Sequence, residues 1–435
     1  MLDHQALAQH AGHYGLRVEG DALWMEGVAL HQIAAEVGTP TYAYSATAIE
    51  RRYAGLAEAM SGRPTQLCYA MKANSSQAVL RLLARQGAGA DIVSGGELQR
   101  ALAAGISPTK IVFSGVGKTD AEIDAAIAAD IRSINVESIE ELERVSGRSK
   151  ATGRRAKISL RINPDVDPDT HPYLATGLRE SKFGIAMAKA LEISRKAAAD
   201  PDLDLVGLAC HIGSQIVEAG PFLDSFARLR GLLDALREDG VKLRQLDLGG
   251  GLGIAYRVDE PVLDVREWGG ALVDATRDLD LELVLEPGRY LVGNAGVLLM
   301  RVLGRKQGET KDFVVVDAAM NDLLRPALYQ AYHVVGPARV PATDAPLRMA
   351  DIVGPVCESG DFLAQGRQLP WPETGDLWLA ASAGAYGMTM ASTYNTRPLP
   401  AEVLVHGDAY EVVRPRREVS ALLAEERVPA WLAPA

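Results

Sequence analysis

The feature that most constrains the fold is an alternation running from about residue 40 to about residue 290. Short apolar runs alternate there with longer stretches whose apolar residues recur at helical spacing. Seven of the runs are Gln66 to Ala70, Lys110 to Phe113, Ile131 to Val136, Ala156 to Ile162, Val206 to His211, Leu243 to Leu248 and Glu282 to Leu285. Each has the length of a strand and is rich in Ile, Leu, Val or aromatics. Ser76 to Gln86 and Ala121 to Ala129 carry the helical spacing, and Gly87 and Gly105 stand where a helix would stop before the next strand. Strand and helix repeating over roughly 250 residues predict a parallel α/β sheet, and that length suits a (β/α)8 barrel, with a doubly wound sheet as the alternative.

Past residue 290 the texture changes. Gly296 to Leu303, Phe313 to Val316 and Leu377 to Ala381 are apolar runs separated by Gly, Pro and Asp, with little helical periodicity between them. This predicts a barrel over 41–290 followed by an all-β domain over 291–435. The N-terminal segment 1–40, with Leu23-Trp24-Met25-Glu26-Gly27, is expected to join that β domain by a strand. A chain of 435 residues accommodates two such domains, and 48% hydrophobic with 23% charged residues is the composition of a globular protein with a sizeable core. The net charge of −11 argues against nucleic acid and anionic membrane surfaces as partners. No uninterrupted apolar run approaches the roughly 18 residues of a membrane span. Met1 to His13 lacks the basic start and apolar run of a secretory signal. Cys68, Cys210 and Cys357 are an odd, widely spaced set, neither a disulfide framework nor a metal site, and a cytoplasmic setting is expected.

Several segments carry chemistry. Lys72 follows directly on an apolar strand in Tyr69-Ala70-Met71-Lys72-Ala73-Asn74. Barrel enzymes keep reactive groups at that end of a strand, and a partly desolvated lysine there suits Schiff-base formation; a surface lysine at a strand end is the other reading. Leu246-Asp247-Leu248 runs into Gly249-Gly250-Gly251, a loop that exposes backbone N–H groups to a phosphate or simply turns the chain. The dinucleotide pattern G-x-G-x-x-G is not completed, since Ile254 and Tyr256 occupy the third glycine's places. In Glu286-Pro287-Gly288-Arg289, a Pro-Gly turn fixes a carboxylate and a guanidinium at a strand end, either as an exposed salt bridge or with Glu286 against a pyridinium nitrogen and Arg289 on a carboxylate. His211 stands at a strand end beside Gly213 and Ser214, and no histidine has the spacing of a metal ligand set. Cys357 precedes Glu358; an acidic neighbour holds a thiol protonated, which suits a proton donor, although a buried structural cysteine is the commoner case. Gly384-Ala385-Tyr386-Gly387 places a phenol, expected to be exposed, between small residues.

Taken together and in order, these motifs resemble the fold-type III pyridoxal-phosphate decarboxylases over nearly the whole chain, most closely the group acting on diaminopimelate. The resemblance implies a TIM-like barrel plus a β domain, pyridoxal 5'-phosphate as cofactor, no metal, and a homodimer with shared active sites. It matches Lys72 to the cofactor's lysine and Asp91 to a carboxylate beside it. His211 matches the residue stacked on the ring, and Glu286 the partner of the ring nitrogen. Ser214, Gly250, Gly251, Gly288 and Arg289 match the phosphate contacts. Cys357 matches a proton donor reaching across from the other subunit, and Tyr386 a cofactor and substrate contact. For substrate, Arg325 and Tyr329 in Arg325-Pro326-Ala327-Leu328-Tyr329, with Arg289, are the candidates to grip a distal carboxylate, and Glu358 the candidate for a distal ammonium. Ornithine enzymes of the family typically carry aspartate after the cysteine, where this chain has glutamate. Thr176 to Ile185 also resembles the loop of the diaminopimelate group. The expected reaction is decarboxylation of meso-2,6-diaminopimelate to L-lysine, the last step of lysine biosynthesis. Ornithine, arginine, a D-amino acid or a carrier-tethered amino acid are alternative substrates. A racemase would need a paired tyrosine motif that is not found, and a non-catalytic relative would be expected to lack Lys72 or Cys357.

Overall fold

The computed structural model describes residues 1–166 and 182–432. The chain divides into two compact units: a barrel unit of residues 49–255 and 261–291, and a β unit of residues 1–48, 256–260 and 292–435.

Among the described residues of the barrel unit, eight parallel strands close on themselves: β1 (Thr65–Ala70), β2 (Gly89–Ile92), β3 (Ile111–Phe113), β4 (Ser133–Val136), β5 (Ala156–Asn163), β6 (Leu203–Ala209), β7 (Gln245–Asp247) and β8 (Glu282–Leu285). Closure comes from β8 pairing back onto β1, with Leu283 opposite Thr65 and Leu285 opposite Leu67. The barrel, and not a doubly wound sheet, is therefore the fold. Seven of the strands are the runs expected from the sequence. β2 is the eighth, and its Gly89-Ala90-Asp91-Ile92 has little apolar bulk to announce it. The glycine is required by the sheet, since a Cβ on Gly89 would stand 2.0 Å from the Lys110 carbonyl oxygen on the next strand's approach.

Helices follow the strands, and four of them are started by side-chain caps. Ser94 accepts from the Glu97 N–H, Ser138 from Glu141, Asp264 from Arg266 and Glu267, and Thr119 forms a reciprocal capping box with Glu122. Gly87 and Gly105 have positive φ, as expected of residues that end a helix.

In the β unit the 12-residue strand Gly296–Gln307 is the spine. Thr41–Ser45 pairs antiparallel with its first half and parallel with Ala401–His406, so the sheet needs chain from both ends of the sequence. Asp312–Val316, Leu347–Val353 and Phe362–Pro370 extend it on one side, and Ala409–Arg414 on the other. The expected strand at Leu23 to Gly27 is Ala22–Met25 in the structure, because Glu26 takes a positive φ and turns the chain. It pairs within a small antiparallel sheet with Arg17–Glu19 and Val28–Ala29, and meets the rest of the β unit through the Leu23 N–H bond to the Ala338 carbonyl. Its core partners are Leu7, Tyr14, Leu30, Ile33, Val297, Leu299, Leu379 and Val403. Among the described residues no helix is long and apolar enough to cross a membrane.

Candidate active site

Side chains alternate faces along a strand, so every second residue of a barrel strand points inward. In this barrel the inward column is polar towards the C-terminal ends of the strands. Ser133 and Asn135 lie on β4, Ser159 and Arg161 on β5, and Gln245 and Asp247 on β7; Ser114 follows β3 and Glu286 follows β8. Hydrogen bonds between strands that are not neighbours show that these groups meet in the interior. Gln245 Nε2 donates to Ser133 Oγ at 3.1 Å and Ser159 Oγ at 3.0 Å. Higher up, Asn135 Nδ2 donates to Ser114 Oγ at 3.1 Å and Asp247 Oδ2 at 3.4 Å, and Ser114 Oγ reaches Glu286 Oε1 at 3.4 Å. An apolar cluster of Cys68, Val112 and Val284, from β1, β3 and β8, fills part of the interior.

At the top of this column Lys72 stands in a short turn after β1, its Nζ 3.3 Å from Asp91 Oδ2. Asp91, next to last in β2, has its side chain fully buried, and its Oδ1 has no hydrogen-bond partner among the described residues. A buried carboxylate with a spare lone pair beside a lysine amine is set to hold that amine in place. Glu286 is buried, and its carboxyl is pushed well above the usual carboxylate range by burial and by the negative charges of Asp247 and Asp91. Asp247, wholly buried, is raised to about 6 by burial, against the Gly249 N–H that donates to its Oδ1 at 2.9 Å. Arg161 lines the same small cavity, of about 20 Å³, with Lys72, Ser114, Asn135, His211 and Glu286. It is held by Glu137 at 3.0 Å, which also accepts the Gly115 N–H at 2.7 Å. Ser114, Asn135, Arg161 and Asp247 were not singled out from the sequence. For Asn135, Arg161 and Asp247 the signal was there: each is a polar residue flanked by apolar ones towards the end of a strand run.

The glycine loop after β7 is tight. A Cβ on Gly250 would stand 2.0 Å from the Glu286 carbonyl oxygen, and one on Gly251, at φ +112°, 2.6 Å from the Gly213 carbonyl. The space is kept open for backbone, as a loop that closes on an anion requires. Arg289 Nη2 donates to Ser214 Oγ at 3.1 Å, so both side chains read as phosphate contacts sit together. Gly288 packs its Cα face near the Ala70 and Ala73 methyls, leaving Arg289 to begin a short helix, Arg289–Val292. His211 Nδ1 accepts the Gly250 N–H at 3.2 Å, so that nitrogen carries no proton. Burial, then Lys72 and Arg161, hold its pKa well below the usual histidine value, so the ring is neutral.

The remaining candidates belong to the β unit. Arg325 opens the short helix Arg325–Tyr329 and is buried, with its guanidinium 2.9 Å from His333 Nε2 and 4.7 Å from the Tyr256 ring centre. His333 Nδ1 lies 2.8 Å from the Ala381 carbonyl oxygen, to which it must donate, which leaves Nε2 to accept from Arg325. Tyr329 ends the same helix and is half-buried. Cys357 and Glu358 share a loop and are exposed; Cys68 and Cys210 are buried. Asp361, which the sequence reading left without a role, staples this loop by accepting the Met320 and Val356 N–H groups, each at 2.7 Å. The Tyr394 hydroxyl bonds Glu358 and is raised by it. Tyr386 is half-buried, where exposure was expected, and takes a φ of +56°, a conformation costly for a bulky residue and typical of functional positions. The expected loop Thr176 to Ile185 lies outside the described residues as far as residue 181.

A sequence model of the family described as "Pyridoxal-dependent decarboxylase, pyridoxal binding domain" matches residues 46–293. A Pseudomonas fluorescens protein named diaminopimelate decarboxylase is 53% identical over 408 residues, 94% of this chain and 97% of that one. The diaminopimelate decarboxylase of M. jannaschii, solved in complex with L-lysine, superposes with a TM-score of 0.91 at 36% identity, covering 96% of this chain and 99% of that chain. The Helicobacter pylori enzyme of the same name, also complexed with L-lysine, gives 0.87 at 40% identity over 91% and 98%. The barrel residues fit a pyridine ring bearing a phosphate. They offer an amine, a spare carboxylate oxygen beside it, a buried carboxyl, a neutral imidazole, and a glycine loop with Ser214 and Arg289 nearby.

Proposed function

The chain belongs to the diaminopimelate decarboxylase family of pyridoxal-dependent decarboxylases, and from that premise we propose that it is a carboxy-lyase converting meso-2,6-diaminopimelate to L-lysine and carbon dioxide, the final step of lysine biosynthesis. The observation that carries the reading is the Lys72–Asp91 pair set beside the buried Glu286 at the mouth of one barrel. Bound there, pyridoxal 5'-phosphate supplies an electron-accepting ring that takes up the electron pair left when the carboxylate departs.

The protein's own groups then have separable tasks. Lys72 holds the cofactor covalently and Asp91 fixes its amine. Gly250, Gly251, Gly288, Ser214 and Arg289 hold the phosphate. His211, neutral, packs on the ring without adding charge to it. Glu286 meets the ring nitrogen and keeps it protonated, so that negative charge developing on the ring is stabilised. Arg325, whose fork is oriented by His333 and Tyr256, takes the substrate's distal carboxylate, with Tyr329 and Tyr386 as further contacts. Glu358 takes the distal ammonium. Cys357 delivers a proton to the α-carbon, a role supported by its exposure and by the Asp361 staple that fixes its loop.

The working form in this reading is a cytoplasmic homodimer in which Cys357 serves the partner's site; free, unpaired cysteines suit a reducing compartment. The test is product analysis. Purified protein with cofactor should release L-lysine from meso-diaminopimelate and little diamine from ornithine. Lys72→Ala should lose both the absorbance band of the covalently held cofactor and turnover, by at least about a thousandfold. Wild-type turnover in that variant would sink the assignment. Preferential diamine release would sink the substrate.

A further inference from the structure

One buried group in the barrel has no task in the scheme above. Asp247, at the end of β7, is wholly buried, and it is linked to Glu286, just past the neighbouring β8, through the Asn135 amide and the Ser114 hydroxyl, with its charge acting directly on the Glu286 carboxyl. Asp247 is not a chance burial. Gly249 N–H donates to one of its oxygens at 2.9 Å and the Asn135 amide to the other at 3.4 Å, while Ser114, tied to Asn135, reaches Glu286. With no further cation beside them, two carboxyls this close in a dry site do not both ionise; a proton on one of them, or a cation formed next to them, is needed. The charged groups facing the pair are Asp91 from β2, Lys72 after β1, Arg161 from β5 and His211 after β6, with the Cys68 and Cys210 thiols beneath. Arg161 is already paired with Glu137 at 3.0 Å, so Asp91, Asp247 and Glu286 are left with Lys72 as the nearby fixed cation. A proton kept on one of the carboxyls relieves that excess of negative charge.

We propose that Asp247 is a positioning residue that shares one proton with Glu286, and that Glu286 passes this proton to the ring nitrogen of the cofactor. The inference rests on the pyridoxal reading of the site. The transfer balances simply. The carboxyl O–H bond of Glu286 breaks, its electron pair stays on the oxygen, and an N–H bond forms on the ring. Asp247 remains a carboxylate, held by the Gly249 N–H and the Asn135 amide. Its negative charge behind Glu286 raises the proton affinity of Glu286, and through it that of the nitrogen. Asp247 touches neither substrate nor cofactor in this scheme; it acts by fixing the charge and direction of the residue that does.

The experiment reads protonation directly. With cofactor isotopically labelled at the ring nitrogen, NMR of the wild-type holoenzyme should show a protonated nitrogen throughout the neutral range. In Asp247→Asn the same nitrogen should titrate at a pH lower by about one unit or more, and the spectrum of the bound cofactor should acquire a matching pH dependence. Identical titration in both proteins overturns the inference. Infrared spectra of the wild-type chain stripped of cofactor give a second measurement, independent of whether Asp247→Asn folds. A protonated-carboxyl band should be present at neutral pH and absent in Glu286→Gln; absence of the band from the wild type also overturns the inference. If the wild-type protein never takes up the cofactor on Lys72, the functional reading itself falls and this inference with it.

Discussion

A carboxyl buried in a protein must either find donors enough to stay charged or keep its proton. Asp322, in the β unit, shows the balance. It is fully buried and accepts the Ala319 N–H at 2.9 Å and the Asn321 amide at 3.0 Å, with Arg397 3.6 Å away, yet burial outweighs these and lifts its pKa from 3.8 to about 6. The sign of the consequence follows. The folded chain binds this proton more tightly than the unfolded chain, so stability is fully present below the unfolded value and falls as pH rises towards the folded one. From about pH 4 to about pH 6 this group should cost up to about 3 kcal/mol. Urea unfolding on both sides of that window should show a wild-type stability difference that shrinks in Asp322→Asn; an unchanged difference would refute the account. The barrel pair Asp247 and Glu286 is raised for the same reason, so the cofactor-free protein should lean the same way.

At the scale of elements, the site is made by where strands stop. β7 and β8 run side by side, and Glu286 N–H donates to the Gly249 carbonyl at 2.7 Å just past their ends. That bond draws the glycine loop against the Glu286 backbone, which is why Gly250 has no room for a side chain. Gly250→Ala would force the two loops apart. Cofactor affinity should fall at least about tenfold, equivalent to about 1.4 kcal/mol, read by titrating the cofactor-free protein with cofactor, while melting of that protein changes little. Affinity equal to wild type would mean that the loop is a plain turn. β2 is the element whose sequence speaks most softly, since Gly89 answers to a crowded neighbour and Asp91 puts a charge where an apolar residue would announce a strand.

For the whole molecule, the β unit is assembled from both ends of the chain. Thr41–Ser45, entirely buried, sits between Gly296–Leu299 and Ala401–Val405, hundreds of residues further on. Such long-range pairing closes late in folding. The proposed dimer with shared sites gives a sharper prediction at this scale. Lys72→Ala and Cys357→Ala should each be nearly inactive alone. Mixed and allowed to exchange subunits, they should regain up to about a quarter of wild-type activity, because the heterodimer holds one site with both native residues. No recovery, with exchange verified by mass, would place Cys357 in its own chain's site or outside any site.

The sequence by itself determined a repeating α/β unit followed by a β unit, because strand-length apolar runs alternating with helical ones bury their faces best in a parallel sheet. That the sheet closes into a barrel was decided by β8 pairing onto β1. The sequence also marked the candidates that stand at strand ends, Lys72, Glu286, His211 and the glycine loop, since each directly follows an apolar run. What only the tertiary structure decided is which of these groups share a space. Nothing in the spacing of Ser114, Asn135, Asp247 and Glu286 says that they meet; closure of the barrel brings β3, β4, β7 and β8 around one interior. Nor does the sequence say that Thr41–Ser45 leaves the alternating pattern to join the β unit, since an apolar strand carries no mark of the sheet it will enter. Charge state was the last thing to be settled. A carboxyl's proton depends on the solvent it loses and the charges it gains, and both are properties of the folded interior alone.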